Sequence, residues 1–238
     1  MRRRDFIAGA AALSMTSYAG RFCTAQEGSR ASSQPSPKEA LDRLVEGNRK
    51  YAEGKKLVFQ LNEGRLAELE KGQHPFATII GCSDSRVPVE LVFDQDPGSL
   101  FVIRLAGNVI DPDVQGSLEY AAVHLATPLI VVMGHEKCGA VTAALAAQQE
   151  QAKEPAGVRQ LLKKVQPAIK DIDRNLPMDK QVALGVEANV RWSMKQIIEH
   201  TDHRDAVKSG SVMVAGAVYE LATGRVRFLK SQSSTERN

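Results

Sequence analysis

The chain of 238 residues has little of several features, and each shortage excludes a class of protein. It has no apolar run of the about 20 residues that a helix needs to cross a bilayer, so no stable membrane span is predicted. Its three cysteines are too few for a disulfide-dense scaffold. Its charges nearly balance, at a net +3, so nucleic acid is not an expected partner. With 43% hydrophobic and 25% charged residues, the composition is that of an ordinary globular domain.

The positive surplus lies in residues 1–25, where four arginines face a single aspartate. Arg3-Arg4-Asp5-Phe6-Ile7 has the pattern of a twin-arginine export signal, and a mild Ala- and Gly-rich run follows it. We therefore expect residues 1–25 to be a signal peptide and the mature protein to be periplasmic. The alternative is a tail that is kept on a cytoplasmic protein. Residues 26–37, rich in Ser, Gln and Pro, are predicted to be a linker before a single domain over 38–238.

Short apolar runs rich in β-branched residues alternate along the chain with stretches of helical spacing. Strands are predicted over 76–80, 99–103, 128–133 and 211–219, and helices over 63–71, 116–126, 139–151 and 184–200, after a first helix that begins at Ser36-Pro37. A last segment, 225–230, is predicted to pair with the fourth strand. The alternation predicts an α/β fold with a mostly parallel central sheet flanked by helices, an antiparallel edge strand and an N-terminal helical arm.

Two segments that follow predicted strands carry the candidate chemistry. Gly81-Cys82-Ser83-Asp84-Ser85-Arg86 follows the first strand, and Gly134-His135-Glu136-Lys137-Cys138-Gly139 follows the third. In parallel sheets ligands bind beyond the carboxyl ends of strands, so this topology can bring the two segments together. Cys82, His135 and Cys138 would then supply two thiolates and an imidazole. These are ligands that zinc prefers, and three of them leave the fourth tetrahedral position open, as in catalytic sites.

Asp84 and Arg86 follow the first cysteine at a spacing of two. In an extended segment, residues 82, 84 and 86 point to one side, which would place the carboxylate near the metal. Asp84 is then predicted either to orient the nucleophile as a hydrogen-bond acceptor or to become a fourth metal ligand that closes the site. Arg86 is predicted to hold Asp84 in a charge-assisted pair, which favours the open form. The alternative is a solvated ion pair at a turn.

The segments Cys82–Arg86 and His135–Gly139 resemble the two signature segments of the β-class carbonic anhydrases, and the likeness runs from about Lys38 to Val218. The resemblance implies one Zn²⁺ per subunit and the reversible hydration of carbon dioxide to bicarbonate and a proton by attack of zinc-bound hydroxide. It also implies a dimer or a tetramer, in which the N-terminal helices wrap a partner subunit.

The same resemblance implies substrate-binding positions, which are Gln73, Phe101, Ala106, Tyr120 and Gly139. Gln73 resembles the glutamine that hydrogen-bonds substrate in the plant-like branch of the family. Phe101 and Tyr120 match apolar walls of that branch's pocket, contributed in part across a dimer interface. Ala106 stands where that branch often has valine. Ile79 stands where another branch has a tryptophan that lines a regulatory bicarbonate pocket, so control through that pocket is not expected.

Two other functions stay open from the sequence. One is hydrolysis of carbonyl sulfide or carbon disulfide, which are linear isosteres of carbon dioxide that the same scaffold handles. The other is a non-catalytic zinc-binding or redox domain that uses the cysteine pair. Asp84 and Arg86 argue against the second alternative, because a purely structural site needs neither residue.

Overall fold

A five-stranded sheet forms the centre of the computed structural model, which describes residues 34–55, 62–147 and 154–230. Its strands are β1 (Ala77–Gly81), β2 (Leu100–Arg104), β3 (Leu129–His135), β4 (Met213–Tyr219) and β5 (Val226–Phe228), in the order β2-β1-β3-β4-β5. Neighbours among β1 to β4 are parallel, whereas β5 is antiparallel to β4. The predicted α/β fold with an antiparallel edge strand is therefore confirmed.

Helices cover both faces of this sheet. They are α1 (Pro37–Ala52), α2 (Glu63–Glu70), α3 (Val89–Val92), α4 (Pro112–Tyr120), α5 (Gly139–Ala147), α6 (Ala156–Ile169), α7 (Met178–Glu199) and α8 (Thr201–Ser209). Successive side chains of a strand point to opposite faces. Ile79 accordingly packs with Ala40 and Leu44 of α1 on one face, whereas Ile80 and Val132 pack with α4 and α7 on the other.

The start of α1 follows from local sequence alone. Ser36 Oγ accepts a hydrogen bond from the Glu39 backbone N–H at 3.3 Å, and the Glu39 carboxylate accepts one from the Ser36 N–H at 2.8 Å. This capping box, with Pro37 in the first turn, satisfies N–H groups that the helix itself cannot bond. The predicted signal peptide and residues 26–33 of the predicted linker lie outside the described residues.

Two helices start earlier than the periodicity predicts. α4 begins at Pro112 because the Asp111 side chain caps it, accepting a hydrogen bond from the Val114 N–H at 2.9 Å. α7 begins at Met178, directly after a proline, and not at the predicted Leu184. The predicted helix 139–151 is seen as α5 up to Ala147, and residues 148–153 lie outside the described part of the chain.

The sequence did not predict α6 and α8. Pro167 lies inside α6, and an interior proline normally breaks a helix because it lacks the N–H donor and crowds the preceding turn. Packing compensates here, since Leu162, Val165 and Ile169 are buried in the cluster that also holds side chains of α5 and α7. No helix within residues 34–55, 62–147 and 154–230 combines the length and apolarity needed to cross a bilayer.

The strand order reverses at β1, which has β2 on one side and β3 on the other. Connections leave such a point in opposite directions and open a crevice at the carboxyl ends of the strands. The register pairs Gly81 of β1 with Met133 of β3. Cys82 therefore lies beside the end of β3 that carries His135, which is the meeting of the two motifs that the sequence predicted.

Candidate metal centre

Three potential metal ligands converge at the carboxyl ends of β1 and β3. The Cys82 and Cys138 sulfurs and a ring nitrogen of His135 lie within 4.8 Å of one another, and all three residues are buried. Two thiolates on one tetrahedral zinc ion would be about 3.8 Å apart, given Zn–S bonds of about 2.3 Å. The His135 Nε2 is buried and has no hydrogen-bond partner among the described residues, as suits a metal ligand. The donor set and its spacing therefore fit Zn²⁺.

The loop after β3 fixes the orientation of the His135 ring. Its Nδ1 lies 2.9 Å from the Glu136 carbonyl oxygen, which can only accept, so Nδ1 carries the proton and Nε2 keeps its lone pair. Glu136 is itself tied down, since its N–H donates to the Tyr219 carbonyl at 3.0 Å and its carboxylate accepts from the Leu221 N–H at 3.1 Å. The imidazole is thus presented with its free nitrogen toward the two sulfurs.

The two cysteines influence each other's ionisation. The hydrogen bond between them is the main cause of a lowered pKa at Cys82, to which His135 also contributes. The same contact, together with burial, raises the pKa of Cys138, whereas the N–H groups of Val141 and Ala140 at the start of α5 lower it. The pair therefore gives up one proton easily and holds the other between the sulfurs, where a dication would replace it.

Asp84 lies at the border of this cluster, with Oδ2 3.8 Å from the His135 Nε2. Arg86 donates a hydrogen bond to each carboxylate oxygen, from Nε to Oδ1 at 2.9 Å and from Nη2 to Oδ2 at 2.7 Å. The hydrogen bond to the guanidinium is the main reason that the pKa of Asp84 lies far below its usual range. The carboxylate is therefore ionised and oriented beside the ligand cluster.

The geometry of this pair corrects the local conformation expected from the sequence. The segment does not stay extended to residue 86, because the Asp84 carbonyl accepts a hydrogen bond from the Val87 N–H at 3.1 Å and closes a turn. Asp84 Oδ1 also accepts the Arg86 backbone N–H at 2.9 Å, as aspartates do in turns of this kind. The turn, and not strand alternation, brings the guanidinium onto the carboxylate.

Arg104, for which no role was predicted, fixes the backbone of the first motif. Its Nε donates to the Cys82 carbonyl at 3.0 Å and its Nη2 to the Asp84 carbonyl at 2.6 Å. The side chain reaches them because Arg104, the last residue of β2, pairs in register with Gly81, the last residue of β1. The register between β1 and β2 is the signal that would have revealed the role of Arg104. Using it requires knowing that these two strands are neighbours.

A turn at residues 106–108 also contacts the ligand Cys82, and no structural role was predicted for its glycine. The Gly107 N–H donates to the Cys82 sulfur at 3.2 Å. Gly107 has a φ of 72°, which glycine adopts without strain, and a Cβ there would lie only 3.0 Å from the Ala140 Cβ. Ala106, a predicted pocket residue, begins this turn, and Gly139, another, begins α5 next to Cys138. Both predicted positions therefore flank the metal centre.

The other predicted substrate residues lie at the opposite end of the sheet. Phe101 pairs with Thr78, which precedes Cys82 by four residues, or about 13 Å along a strand. The Phe101 ring stacks on Tyr120, with 6.1 Å between ring centroids. Gln73 lines a cavity of about 420 Å³ near the amino ends of β1 and β2. Within one chain these three residues therefore do not face the metal centre.

Known proteins match this chain over most of its length. A family model described as carbonic anhydrase matches residues 77–226. A carbonic anhydrase of Mycolicibacterium smegmatis is 38% identical over 81% of this chain and 93% of its own length. Carbonic anhydrase 2 of Mycobacterium tuberculosis is also 38% identical, over 79% of this chain and 91% of its own.

Solved structures agree with these relatives. The β-carbonic anhydrase CcaA superposes with a TM-score of 0.66 at 30% identity, covering 82% of this chain and 94% of its own. A tetrameric β-carbonic anhydrase from Sordaria macrospora gives 0.64 at 26% identity, covering 80% and 97%. With the Cys-His-Cys cluster at the strand ends, these matches show that the chain belongs to the carbonic anhydrase family, in its β class.

Proposed function

We propose that this chain catalyses the reversible hydration of carbon dioxide to bicarbonate, with one Zn²⁺ per subunit on Cys82, His135 and Cys138. The observation that carries the proposal is the buried three-ligand cluster with the Asp84 carboxylate clamped by Arg86 at its border. A structural zinc site normally closes with four protein ligands, and this cluster offers three. When bound, the metal lowers the pKa of a coordinated water and so provides a nucleophile near neutral pH.

The residues around the cluster supply orientation and charge. An ionised Asp84 can accept a hydrogen bond from the attacking oxygen and turn its lone pair toward carbon dioxide. Because its pKa lies far below the usual range, Asp84 is a weak base and does not store the proton that the reaction releases. Arg86 keeps both carboxylate oxygens engaged, which opposes their capture by the metal as a fourth ligand and favours the open form.

The reaction is tested by zinc analysis together with stopped-flow assays across pH on carbon dioxide, carbonyl sulfide and carbon disulfide. The proposal requires stoichiometric zinc and a clear preference for carbon dioxide. A zinc-replete protein that hydrates none of the three gases would overturn it. A preference for a sulfur compound would instead assign this chain to the hydrolase alternative.

We also propose that Gln73, Phe101 and Tyr120 serve the active site of a partner subunit. β2 is an edge strand of the sheet, and Tyr120 beside it leaves 48% of its surface exposed in the single chain. Val123, on the π-helical turn that continues α4, is 75% exposed. An edge strand flanked by exposed apolar side chains is a typical site of subunit association. The solved relative from Sordaria macrospora is tetrameric, which supports association of this chain as a dimer or a tetramer.

We expect Val123→Asp to dissociate this assembly and to lower activity while each subunit keeps its zinc. A charge placed on a 75% exposed side chain costs the isolated subunit little, but it is unfavourable in an apolar interface. Light scattering after size-exclusion chromatography would measure the mass. Val123→Thr, which has a similar shape and no charge, is the matched control and should keep the parent mass. A parent protein that is already monomeric and fully active would refute the shared site.

We further propose that the twin-arginine segment exports the folded protein to the periplasm. Loading of zinc in the reducing cytosol would protect Cys82 and Cys138 from pairing as a disulfide during transit. Replacing Arg3 and Arg4 by lysine together should leave the protein in the cytoplasm, whereas Arg2→Lys should not. Cell fractionation with N-terminal sequencing measures this, and a parent protein that stays in the cytoplasm with its first 25 residues attached would disprove export.

A further inference from the structure

The 106–108 turn beside the metal centre has a backbone that needs external support. Gly107 and the following Asn108 both have positive φ, at 72° and 43°. Asparagine tolerates this left-handed region better than most residues, yet it is still a strained conformation. The hydrogen bond from the Asn108 N–H to the Leu105 carbonyl, at 2.9 Å, closes the turn. This bond does not involve the carbonyl groups of Gly107 and Asn108, which need other hydrogen-bond donors.

Two buried polar side chains of α7 hold these carbonyls. Asn189 Nδ2 donates to the Gly107 carbonyl at 2.6 Å, and Ser193 Oγ donates to the Asn108 carbonyl at 3.0 Å. Asn189 is 1% exposed and Ser193 is fully buried. Their spacing of four puts them on one face of the helix, beside the apolar Val190. Burying a polar side chain is unfavourable unless it is hydrogen-bonded, and the Asn189 Nδ2 and the Ser193 hydroxyl each bond to the same turn. The Asn189 Oδ1 is buried without a partner among the described residues.

The same helix is held tightly against the strand that carries His135. A Cβ added at Gly134 of β3 would come within 2.8 Å of the Val190 Cγ2 and 3.0 Å of the Val186 Cγ1, so the helix packs against bare backbone there. α7 therefore fixes the turn relative to β3. The position of the Gly107 N–H, 3.2 Å from the Cys82 sulfur, is set by that arrangement.

We propose that Asn189 and Ser193 are positioning residues of the metal centre, which act on the Cys82 sulfur through the 106–108 turn. The N–H that the turn directs at the sulfur stabilises negative charge there and lowers the energy of the sulfur lone pairs. A group that hydrogen-bonds to a metal ligand tunes the metal in this way and affects its affinity. Here that group is the Gly107 N–H, which Asn189 and Ser193 hold in place through the turn. The inference rests on the metal binding of the proposed function and adds two residues that touch neither metal nor substrate.

The test uses the Co²⁺-substituted protein, whose thiolate-to-metal charge-transfer absorption reports on the sulfur directly. Ser193→Ala and Asn189→Ala should each move this band to lower energy, because a sulfur that loses its hydrogen bond gives up an electron more easily. Competition with a chelator should show Zn²⁺ affinity reduced by about 10-fold, the lower end of the loss expected when a direct partner of a ligand is removed. A purely structural role would lower the melting temperature and leave the band in place.

Gln181→Ala is the matched control. Gln181 is a buried amide on the same helix, and its Nε2 donates to the Arg174 and Leu176 carbonyls at 3.2 and 2.7 Å, with no bond to the turn. This variant should lose stability without any change of band or affinity. Ser193→Ala removes one oxygen and adds no atom, so it decides the question even if Asn189→Ala does not fold.

The outcomes separate this inference from the function on which it rests. A parent protein without a charge-transfer band would show that the metal assignment itself is wrong. A parent with the band, and a folded Ser193→Ala variant with the parent's band position and metal affinity, would overturn only the positioning role.

Discussion

Replacing Asp84 by asparagine should lower the turnover number for carbon dioxide hydration by on the order of 10²-fold or more, while zinc stays bound. The amide keeps the size of the side chain but loses the negative charge and one acceptor oxygen, so it cannot orient the attacking oxygen in the same way. It also loses the bidentate contact with Arg86. Stopped-flow hydration assays and zinc analysis on the same preparation would measure both quantities.

The pH dependence sharpens this prediction. Asp84 has a pKa far below its usual range, so it stays ionised as the pH falls through neutral and mildly acidic values. Titration of the Asp84 carboxyl should therefore add no step to the pH–activity profile of the parent between about pH 6 and 9. Asp171→Asn, at an aspartate whose side chain is 88% exposed beyond α6, is the control and should match the parent. Full activity of Asp84→Asn with zinc in place would disprove the role of this carboxylate.

Replacing Cys138 by serine should reduce zinc content well below one per subunit and bring hydration down to the uncatalysed rate. A serine hydroxyl does not ionise near neutral pH and is a poor ligand for zinc, so only Cys82 and His135 would remain. Metal analysis after dialysis, followed by the hydration assay with and without added Zn²⁺, would measure the effect. Parent protein stripped by a chelator should recover when zinc returns, whereas Cys138→Ser should not.

The third cysteine of the chain provides the matched control. Cys23→Ser makes the same chemical change in the predicted signal peptide and should keep both zinc and activity. Stoichiometric zinc and full activity in Cys138→Ser would instead remove Cys138 from the ligand set. In that case Asp84, at 3.8 Å from the His135 Nε2, would be the candidate to replace it.

The sheet could be predicted closely because β1 to β4 are short, mainly apolar runs with clear limits. The helices were harder, for reasons that lie in particular residues. The Asp111 cap starts α4 earlier than its apolar spacing predicts. Pro167 argued against a helix at α6, which only the packing against neighbouring helices explains. Local rules describe what a segment prefers, and tertiary burial overrides those preferences where it contributes more free energy.

Some residues of the candidate site could likewise be predicted from the sequence, and others could not. Cys82, His135 and Cys138 could be named from residue type and from their places after predicted strands. Arg104, Asn189 and Ser193 could not, because their contacts with the first motif and with the 106–108 turn join residues that are 20 to 85 positions apart. An asparagine and a serine on an amphipathic helix give no local sign that they bond to a distant backbone.

The sequence by itself determined the chemistry of this protein: two thiolates, one imidazole and a carboxylate–guanidinium pair, each placed at or just after the end of a strand. Spacing along the chain determines contact only within a helix turn or a tight turn, as for Asp84 with Arg86. The tertiary structure alone decided that β1 lies between β2 and β3. This strand order brings the ligands together at the carboxyl ends of β1 and β3. The parallel pairing places Phe101 and Gln73 near the amino ends of β1 and β2, at the end of the sheet opposite to the ligands.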